Sequence, residues 1–357
     1  MKKFDNYYRE AVDLLKQLLA IPSFSRDEKA AADLLEAFLK KKNRSPSRKG
    51  NNVWVRSANW DDARPTILLN SHIDTVKPVA GWTRDPFAAT EEGDRLYGLG
   101  SNDAGASLVS LLAAFLHLCR CGLDAQSPAP HSNYIFLASC EEEVSGKGGI
   151  ESVLPDLPPI AVAVVGEPTG MRPAIAERGL MVLDGVVHGK AGHAARDDGE
   201  NAIYKALPVI EWFSRLRFPK ESALLGGVKA TVTMIDAGTQ HNVIPDECRF
   251  TVDVRTNELY TNEQIFNAIA AQCGCHLSAR SFRLNSSSID PNHYVVQRAK
   301  QLGLEPYGSP TLSDQALMPF PSVKIGPGAS ERSHTADEFV LLSEIRQAVE
   351  VYVELIA

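Results

Sequence analysis

The feature that most constrains this chain is the rhythm of its apolar runs, which changes twice along the sequence. Short runs at Asn52–Arg56, Ile67–Asn70, Tyr134–Ser139 and Ile160–Val165 read as strands, and the stretch from Gly105 to Leu118 reads as a long apolar helix. Continuous apolar strands separated by helices predict a largely parallel sheet covered on both faces, because parallel strands need crossover connections and those connections pack on the faces. From Glu177 the pattern becomes strand (Leu180–Val187), helix (Asn201–Leu216), strand (Val228–Ile235), strand (Arg249–Arg255), helix (Asn262–Cys273) and strand (Leu277–Phe282). That is the β-α-β-β-α-β order of a ferredoxin-like unit. After Asn285-Ser286-Ser287-Ser288 the first rhythm returns. The expected fold class is therefore α/β, a mixed and largely parallel sheet covered by helices, with an inserted ferredoxin-like α+β domain. The expected boundaries are 1–176 and 285–357 for the larger domain and 177–284 for the insertion.

Ahead of the first strand, Val12, Leu14, Leu15, Leu18 and Leu19 recur at helical spacing until Pro22. Ser25-Arg26-Asp27-Glu28 has the form of a capping box and predicts a helix running through Leu39. The basic stretch from Lys40 to Gly50 reads as a solvated loop.

Composition removes several classes of function. The 357 residues suffice for two or three domains, and with 44% apolar and 23% charged residues the chain is neither disordered nor fibrous. Its 37 basic and 44 acidic residues give a net charge of −7, which offers no basic footprint for nucleic acid or an anionic membrane. No apolar run approaches the ~20 residues of a spanning helix, and the N-terminus lacks the apolar segment of a signal peptide. The six cysteines include the pairs Cys119/Cys121 and Cys273/Cys275, whose C-x-C spacing is not that of a zinc or redox motif. They are expected to be reduced thiols of a cytoplasmic protein.

The chemistry is expected where acids and histidines follow strands. In open α/β sheets, ligands bind beyond the carboxyl ends of the strands. His72 and Asp74 follow one predicted strand, Glu141-Glu142-Glu143 a second, and Glu167 a third, while Asp103 precedes the long helix. Several such residues on one sheet edge point to a metal site. Imidazole with carboxylate suits Zn²⁺ first, and Co²⁺ or Mn²⁺ as well. Two ions ~3.5–4 Å apart can share one carboxylate, and a further carboxylate can act as general base. Other chemistries find no support: the chain has no G-x-S-x-G elbow, no phosphate-binding G-x-x-x-x-G-K-[ST] loop and no H-E-x-x-H helix.

Ser71-His72-Ile73-Asp74-Thr75-Val76, Gly100-Ser101-Asn102-Asp103, Glu141-Glu142-Glu143, Gly166-Glu167-Pro168-Thr169 and Ser333-His334-Thr335-Ala336-Asp337-Glu338 occur in this order. Together they resemble the di-zinc aminoacylase/carboxypeptidase (M20-type) family, which includes acetylornithine deacetylases, succinyl-diaminopimelate desuccinylases and dipeptidases. The segment from Thr311 through Gly326-Pro327-Gly328 to His334 is most similar to acetylornithine deacetylase-type members. The resemblance implies two zinc ions, one held by His72, Asp103 and Glu167, the other by Asp103, Glu143 and His334. It also implies Asp74 as the partner of the second ring nitrogen of His72, and Glu142 as general base. Counting forward to Gly148-Gly149 selects the last two glutamates of the run; the register one residue earlier would make Glu141 the base and Glu142 the ligand. Members often carry a lysine two residues after the bridging aspartate, where this chain has Gly105.

In the insertion, the resemblance implies that His193 reaches the partner subunit's active site and polarises the scissile carbonyl, with Asn242 also near the substrate. Arg178 and Arg255 are candidates for the substrate carboxylate, which an arginine fork binds bidentately. The expectation is a homodimer joined through the insertion, acting on a small N-acyl amino acid such as N-acetyl-L-ornithine, in arginine biosynthesis. Alternatives within the same chemistry are N-acetylcitrulline, N-succinyl-ornithine or N-succinyl-citrulline, succinyl-diaminopimelate and dipeptides. A non-catalytic binding protein on the same fold is the contrasting class.

Overall fold

The computed structural model describes residues 4–120, 132–196 and 198–357. Cys121 and His131 lie outside the described residues. The chain divides into two compact units, one of Met1–Ile175, Ile289–Tyr307 and Ser313–Ala357, the other of Ala176–Ser288 and Gly308–Leu312. The second unit thus takes a short segment beyond the predicted 177–284. The reason is close packing: the backbone of Gly308 lies against the Leu224 carbonyl, and the Arg178 N–H donates to Ser309 O at 3.2 Å.

In the first unit, the strands are ordered Ser47–Lys49, Asn52–Arg56, Asn133–Ser139, Thr66–His72, Val162–Val165 and Ser322–Lys324, continued at Lys324 by Ala174. Thr66–His72 is parallel to both of its neighbours, and Ser322–Lys324 is parallel to Val162–Val165. The Asn52–Arg56 side is antiparallel, so the sheet is mixed and parallel at its centre. Thr66–His72 and Asn133–Ser139 are buried at every position, which explains why they read as continuous apolar runs instead of alternating ones.

The helix Ala106–Arg120 is buried on almost every face and packs against Asp5–Leu19 and Leu342–Ile356. Together with Ser101–Gly105 it forms the one segment among the described residues long and apolar enough to cross a membrane, and most of it is buried inside the unit. At the start of Asp5–Leu19, Phe4 and Tyr7 pack edge-on around His117.

Two local expectations change. The second helix spans Lys29–Lys41 and its N-terminus has no side-chain cap. Ser25 and Glu28 are engaged elsewhere: the Ser25 hydroxyl donates to Asp74, and the buried Glu28 carboxylate accepts from the backbone of Arg26 and Glu141 and from Asn51. The basic loop contains the short strand Ser47–Lys49, and Arg48 pairs with Asp33 and Glu36 of the helix.

The second unit is a four-stranded antiparallel sheet ordered Lys229–Ala237, Glu247–Thr256, Gly179–His188 and His276–Ala279. Burial alternates along Gly179–His188 and Glu247–Thr256. Their inward side chains, with Ala202, Ala206, Val209 and Phe213 of helix Ala202–Arg215 and Ile265 and Ile269 of helix Asn262–Ala270, form a separate core. The strand order and the pair of helices are those of a ferredoxin-like unit. The five cysteines among the described residues are free thiols.

Candidate metal centre

Three adjacent parallel strands end side by side and carry most of the site. His72 is the last residue of Thr66–His72 and stands opposite Ser139, the last of Asn133–Ser139. Glu167 follows Val162–Val165 after Gly166. The Asp103 carboxylate is shared: Oδ1 lies 3.2 Å from Nε2 of His72, and Oδ2 lies 3.5 Å from Nε2 of His334. His334 Nε2 is also 3.0 Å from Glu143, and His72 Nε2 is 3.8 Å from Glu167. Ligand atoms of His72, Asp103 and Glu143 fall within 4.8 Å of one another, and so do those of His72, Glu142 and Glu167. The five residues proposed as ligands are thus gathered with Glu142 in one unit.

The run of glutamates is sorted by backbone conformation. Glu141 has a left-handed φ of 56°, and Glu142–Val144 forms a single helical turn. The Glu141 side chain folds over Gly146 and Gly148, where a Cβ atom would come within 1.9 and 2.3 Å of its carboxylate oxygens. Glycine is needed at Gly146, where a Cβ would also stand 2.6 Å from the Cβ of Glu141; at Gly148 it meets only the end of that side chain. Glu142 and Glu143 are left facing His72 and His334, which separates them from Glu141.

Asp74 plays a broader part than expected. Nδ1 of His72 faces the Asp74 backbone carbonyl at 2.9 Å, with the carboxylate at 3.5 Å. The carboxylate accepts the backbone N–H groups of Glu142 and Glu143, both at 3.1 Å, and the Ser25 hydroxyl at 2.7 Å. A hydrogen bond to the second ring nitrogen of a ligating histidine fixes its tautomer, and here the main chain supplies the nearer acceptor.

The electrostatics describe a site short of positive charge. Burial raises the carboxyl of Glu142 well above its ordinary range and pushes Glu167 up to about 8, even though His72 lowers both. Burial also raises Glu143. His334 is lifted to about 9, first by its hydrogen bond to Glu143. His72 is raised although burial acts against it, because Glu167 and Asp103 outweigh the burial. Asp103 is lowered; burial opposes this, but the imidazole of His72 prevails. Four carboxylates and two imidazoles gathered this closely form a donor set that divalent cations would neutralise, and oxygen and nitrogen donors suit Zn²⁺, Co²⁺ or Mn²⁺. The residues fit the metals that the motifs imply.

Two acids around this centre were not assigned a role from the sequence. Glu338 is buried and accepts the backbone N–H groups of Gly100, Asn102 and Asp103. Asp314, whose pKa burial raises to about 6, accepts the Ser139 hydroxyl at 2.6 Å. Both lie in stretches quoted for their motif, but nothing local in the sequence distinguishes them from exposed acids.

In the second unit, Gly192–His193 pairs with Val243–Ile244, and the Ala194 N–H donates to Asn242 O at 2.9 Å. His193 and Asn242 are thereby brought together, with His193 exposed. The Arg178 guanidinium is mostly buried and donates to the carbonyls of Gly227 and Leu225. Arg255 makes a forked contact with Asp253 at 2.8 and 3.0 Å. Cys140 is buried among packed residues, and burial pushes its thiol up to about 12.

The fold and this cluster are those of a metallohydrolase. The profile of peptidase family M20/M25/M40 matches residues 68–357, and the chain belongs to that family. It is 27% identical to a succinyl-diaminopimelate desuccinylase of Parvibaculum lavamentivorans, covering 96% of this chain and 94% of that one. It is also 27% identical to the enzyme of that name from Corynebacterium glutamicum, with 92% and 91% coverage. Among solved structures, the aminopeptidase PepT of Bacillus cereus superposes with a TM-score of 0.76 at 18% identity, covering 98% of each chain. The Bacillus subtilis YXEP protein, described as a dinuclear metal-binding peptidase of the M20 family, gives 0.72 at 18% identity and the same coverage. The chain is accordingly an M20 metallohydrolase acting on amide bonds.

Proposed function

We propose that this hydrolase removes the N-acyl group from a small amino acid, with N-acetyl-L-ornithine as the first substrate to consider. The observation that carries the reading is the division of Asp103 between His72 and His334, with Glu142 half-buried alongside. In this reading His72, Asp103 and Glu167 hold one zinc ion, and Asp103, Glu143 and His334 hold the other; Co²⁺ and Mn²⁺ suit the same donors. Bound metal supplies Lewis acidity at the scissile carbonyl oxygen and lowers the pKa of water to about 7.

The chain's own residues do the rest. Glu142 takes a proton from the water whose oxygen attacks the carbonyl carbon. As the C–N bond breaks, it returns that proton to the amine nitrogen. The affinity for a proton that burial gives Glu142 supports this role. Asp74 holds the turn that aims Glu142. His193, with Asn242 beside it, would stabilise the negative charge developing on the carbonyl oxygen. In the reading brought from the sequence, His193 does so from the partner subunit of a homodimer. The edge strand Lys229–Ala237, with Met234 and Ile235 exposed, and the helix bearing exposed Tyr204 and Leu207 support an interface through this unit. Arg255 would receive the substrate carboxylate; Arg178, the other candidate, already donates to the carbonyls of Gly227 and Leu225. A cytoplasmic place in arginine biosynthesis belongs to this reading.

The names of the relatives favour a second reading, succinyl-diaminopimelate desuccinylation. The experiment is amine release by chelated protein with and without Zn²⁺, run on N-acetyl-L-ornithine, N-acetylcitrulline, N-succinyl-ornithine and N-succinyl-diaminopimelate. Zinc-dependent release from the ornithine substrate at the highest kcat/KM supports the first reading, and preference for the diaminopimelate derivative selects the second. No release from any of them by zinc-loaded protein overturns both.

A further inference from the structure

Asp103 and His334 are 231 residues apart in sequence, and two side chains beside them tie their loops together in both directions. From the His334 side, the carboxylate of Glu338 accepts three successive donors of the other loop: Gly100 N–H at 3.2 Å, Asn102 N–H at 2.9 Å and Asp103 N–H at 3.0 Å. The Glu338 backbone carbonyl accepts from Gly98 as well, at 3.0 Å. From the Asp103 side, the amide of Asn102 grips the loop that leads into His334. Its Oδ1 accepts the Ala329 N–H at 2.9 Å, and its Nδ2 donates to Ala329 O at 3.0 Å and to the Ser333 hydroxyl at 3.1 Å. Ser333 in turn hydrogen-bonds the Asp103 carboxylate. Both Asn102 and Glu338 are buried.

The sequence around them is fitted to this arrangement. Gly328 has φ +86°, and a Cβ there would stand 2.2 Å from Asn102 Oδ1, so only glycine allows the loop to approach the amide. His334 itself has φ 59°, a conformation that ordinary residues keep only where the surroundings hold them. Its side chain is about half exposed, so packing alone does not orient it. His72, by contrast, sits at the end of a fully buried strand.

We infer that Asn102 and Glu338 form a reciprocal clasp that fixes the separation and orientation of Asp103 and His334, making them positioning residues for the metal position that these two share with Glu143. Neither touches the reacting atoms. They act through backbone and loop, so removing either should loosen the position of Glu143 and His334 most, and the one anchored by His72, which shares Asp103, to a smaller extent. This inference rests on the metal reading given above.

The test uses Asn102→Ala, Glu338→Gln and Asn102→Asp on the full chain. Asn102→Asp keeps the acceptor for Ala329 N–H and loses both donated bonds. Zinc titration after chelation should show one of the two sites weakened by about 10–100-fold in Asn102→Ala and Glu338→Gln, a loss typical of residues that support ligands. Asn102→Asp should fall between wild type and Asn102→Ala. The other site, which shares Asp103, should lose less than the first. Hydrogen exchange of the metal-free protein reports on the clasp independently: amides in 100–103 should exchange faster in Glu338→Gln, and amides in 329–335 faster in Asn102→Ala. Wild-type affinity at both sites, or unchanged exchange in both segments, overturns the clasp. The wild-type titration in the same series tests the metal reading separately, and the exchange measurement stands without it.

Discussion

The carboxylate of Asp74 accepts the backbone N–H of Glu142 at 3.1 Å, and its other oxygen accepts that of Glu143 at the same distance. One side chain following the Thr66–His72 strand thus sets the turn that presents both the proposed base and a proposed ligand. Asp74→Ala should leave two half-buried N–H groups without their acceptor and let the turn shift. The expected result is a fall in kcat of about 10–100-fold with a smaller change in KM. Steady-state kinetics with the metal content measured alongside checks it; an unchanged kcat would remove Asp74 from the working site.

Glu142→Ala should abolish turnover while zinc still binds. General acid–base catalysis contributes about 10²–10⁴-fold, so kcat should fall by at least that much. Calorimetric zinc titration should stay close to wild type, because the proposed ligands are untouched. Glu141→Ala is the control for register. Its side chain lies over Gly146 and Gly148, and its loss should affect stability more than kcat.

If His193 serves the neighbouring subunit, inactive His193→Ala and inactive Glu142→Ala proteins should complement each other. Mixed dimers contain one site with both intact residues, so up to about one quarter of wild-type activity should return after subunit exchange if exchange is random. Absence of any recovery, with heterodimers demonstrated by mass spectrometry, would count against action in trans.

The metal-free protein should lose stability as the pH rises. Glu167 goes from an ordinary 4.5 to about 8 on folding, and His334 from 6.5 to about 9. Between these values the folded chain binds more protons than the unfolded one, so its stability declines with increasing pH. The contribution of Glu167 is fully present below 4.5 and is lost as the pH passes 8; that of His334 is fully present below 6.5 and is lost by about 9. Melting temperatures of chelated protein from pH 5 to 9 should therefore fall, and zinc binding should release protons, which calorimetry in buffers of different ionisation enthalpy measures. A flat profile would show that these groups are not perturbed as described.

Arg178 and Arg255 should separate by the nature of their loss. Arg178→Ala leaves the carbonyls of Gly227 and Leu225 without their donor and should cost about 1–3 kcal/mol of stability. Arg255→Ala gives up a half-buried pair with Asp253 and should change stability by about 1 kcal/mol or less. If Arg255 meets the substrate carboxylate, its loss raises KM. Denaturant unfolding and kinetics on both variants distinguish the roles.

Much of the architecture was legible in the chain because it rests on local periodicity. Strands buried on both faces, such as Thr66–His72, carry an unbroken apolar run (Ile67-Leu68-Leu69), and those covered on one side, such as Gly179–His188, alternate in burial. Ser25 and Glu28 show where local reading failed. Their spacing is that of a helix cap, yet one donates to Asp74 and the other holds Glu141. A polar side chain has few bonds to make, and tertiary neighbours offered better partners than the helix end did.

The sequence by itself determined which residue types are available for the metals and the order in which the chain delivers them to one sheet edge. It could do so because strand ends and motif spacing are properties of neighbouring residues. Only the tertiary structure decided which two of the three glutamates face the histidines, that the nearer acceptor for His72 is a backbone carbonyl, and that Asn102 and Glu338 join Asp103 to His334. Those outcomes depend on the meeting of segments separated by up to 238 residues. Hydrogen bonds reward a fixed distance and angle in space, and no local pattern encodes that.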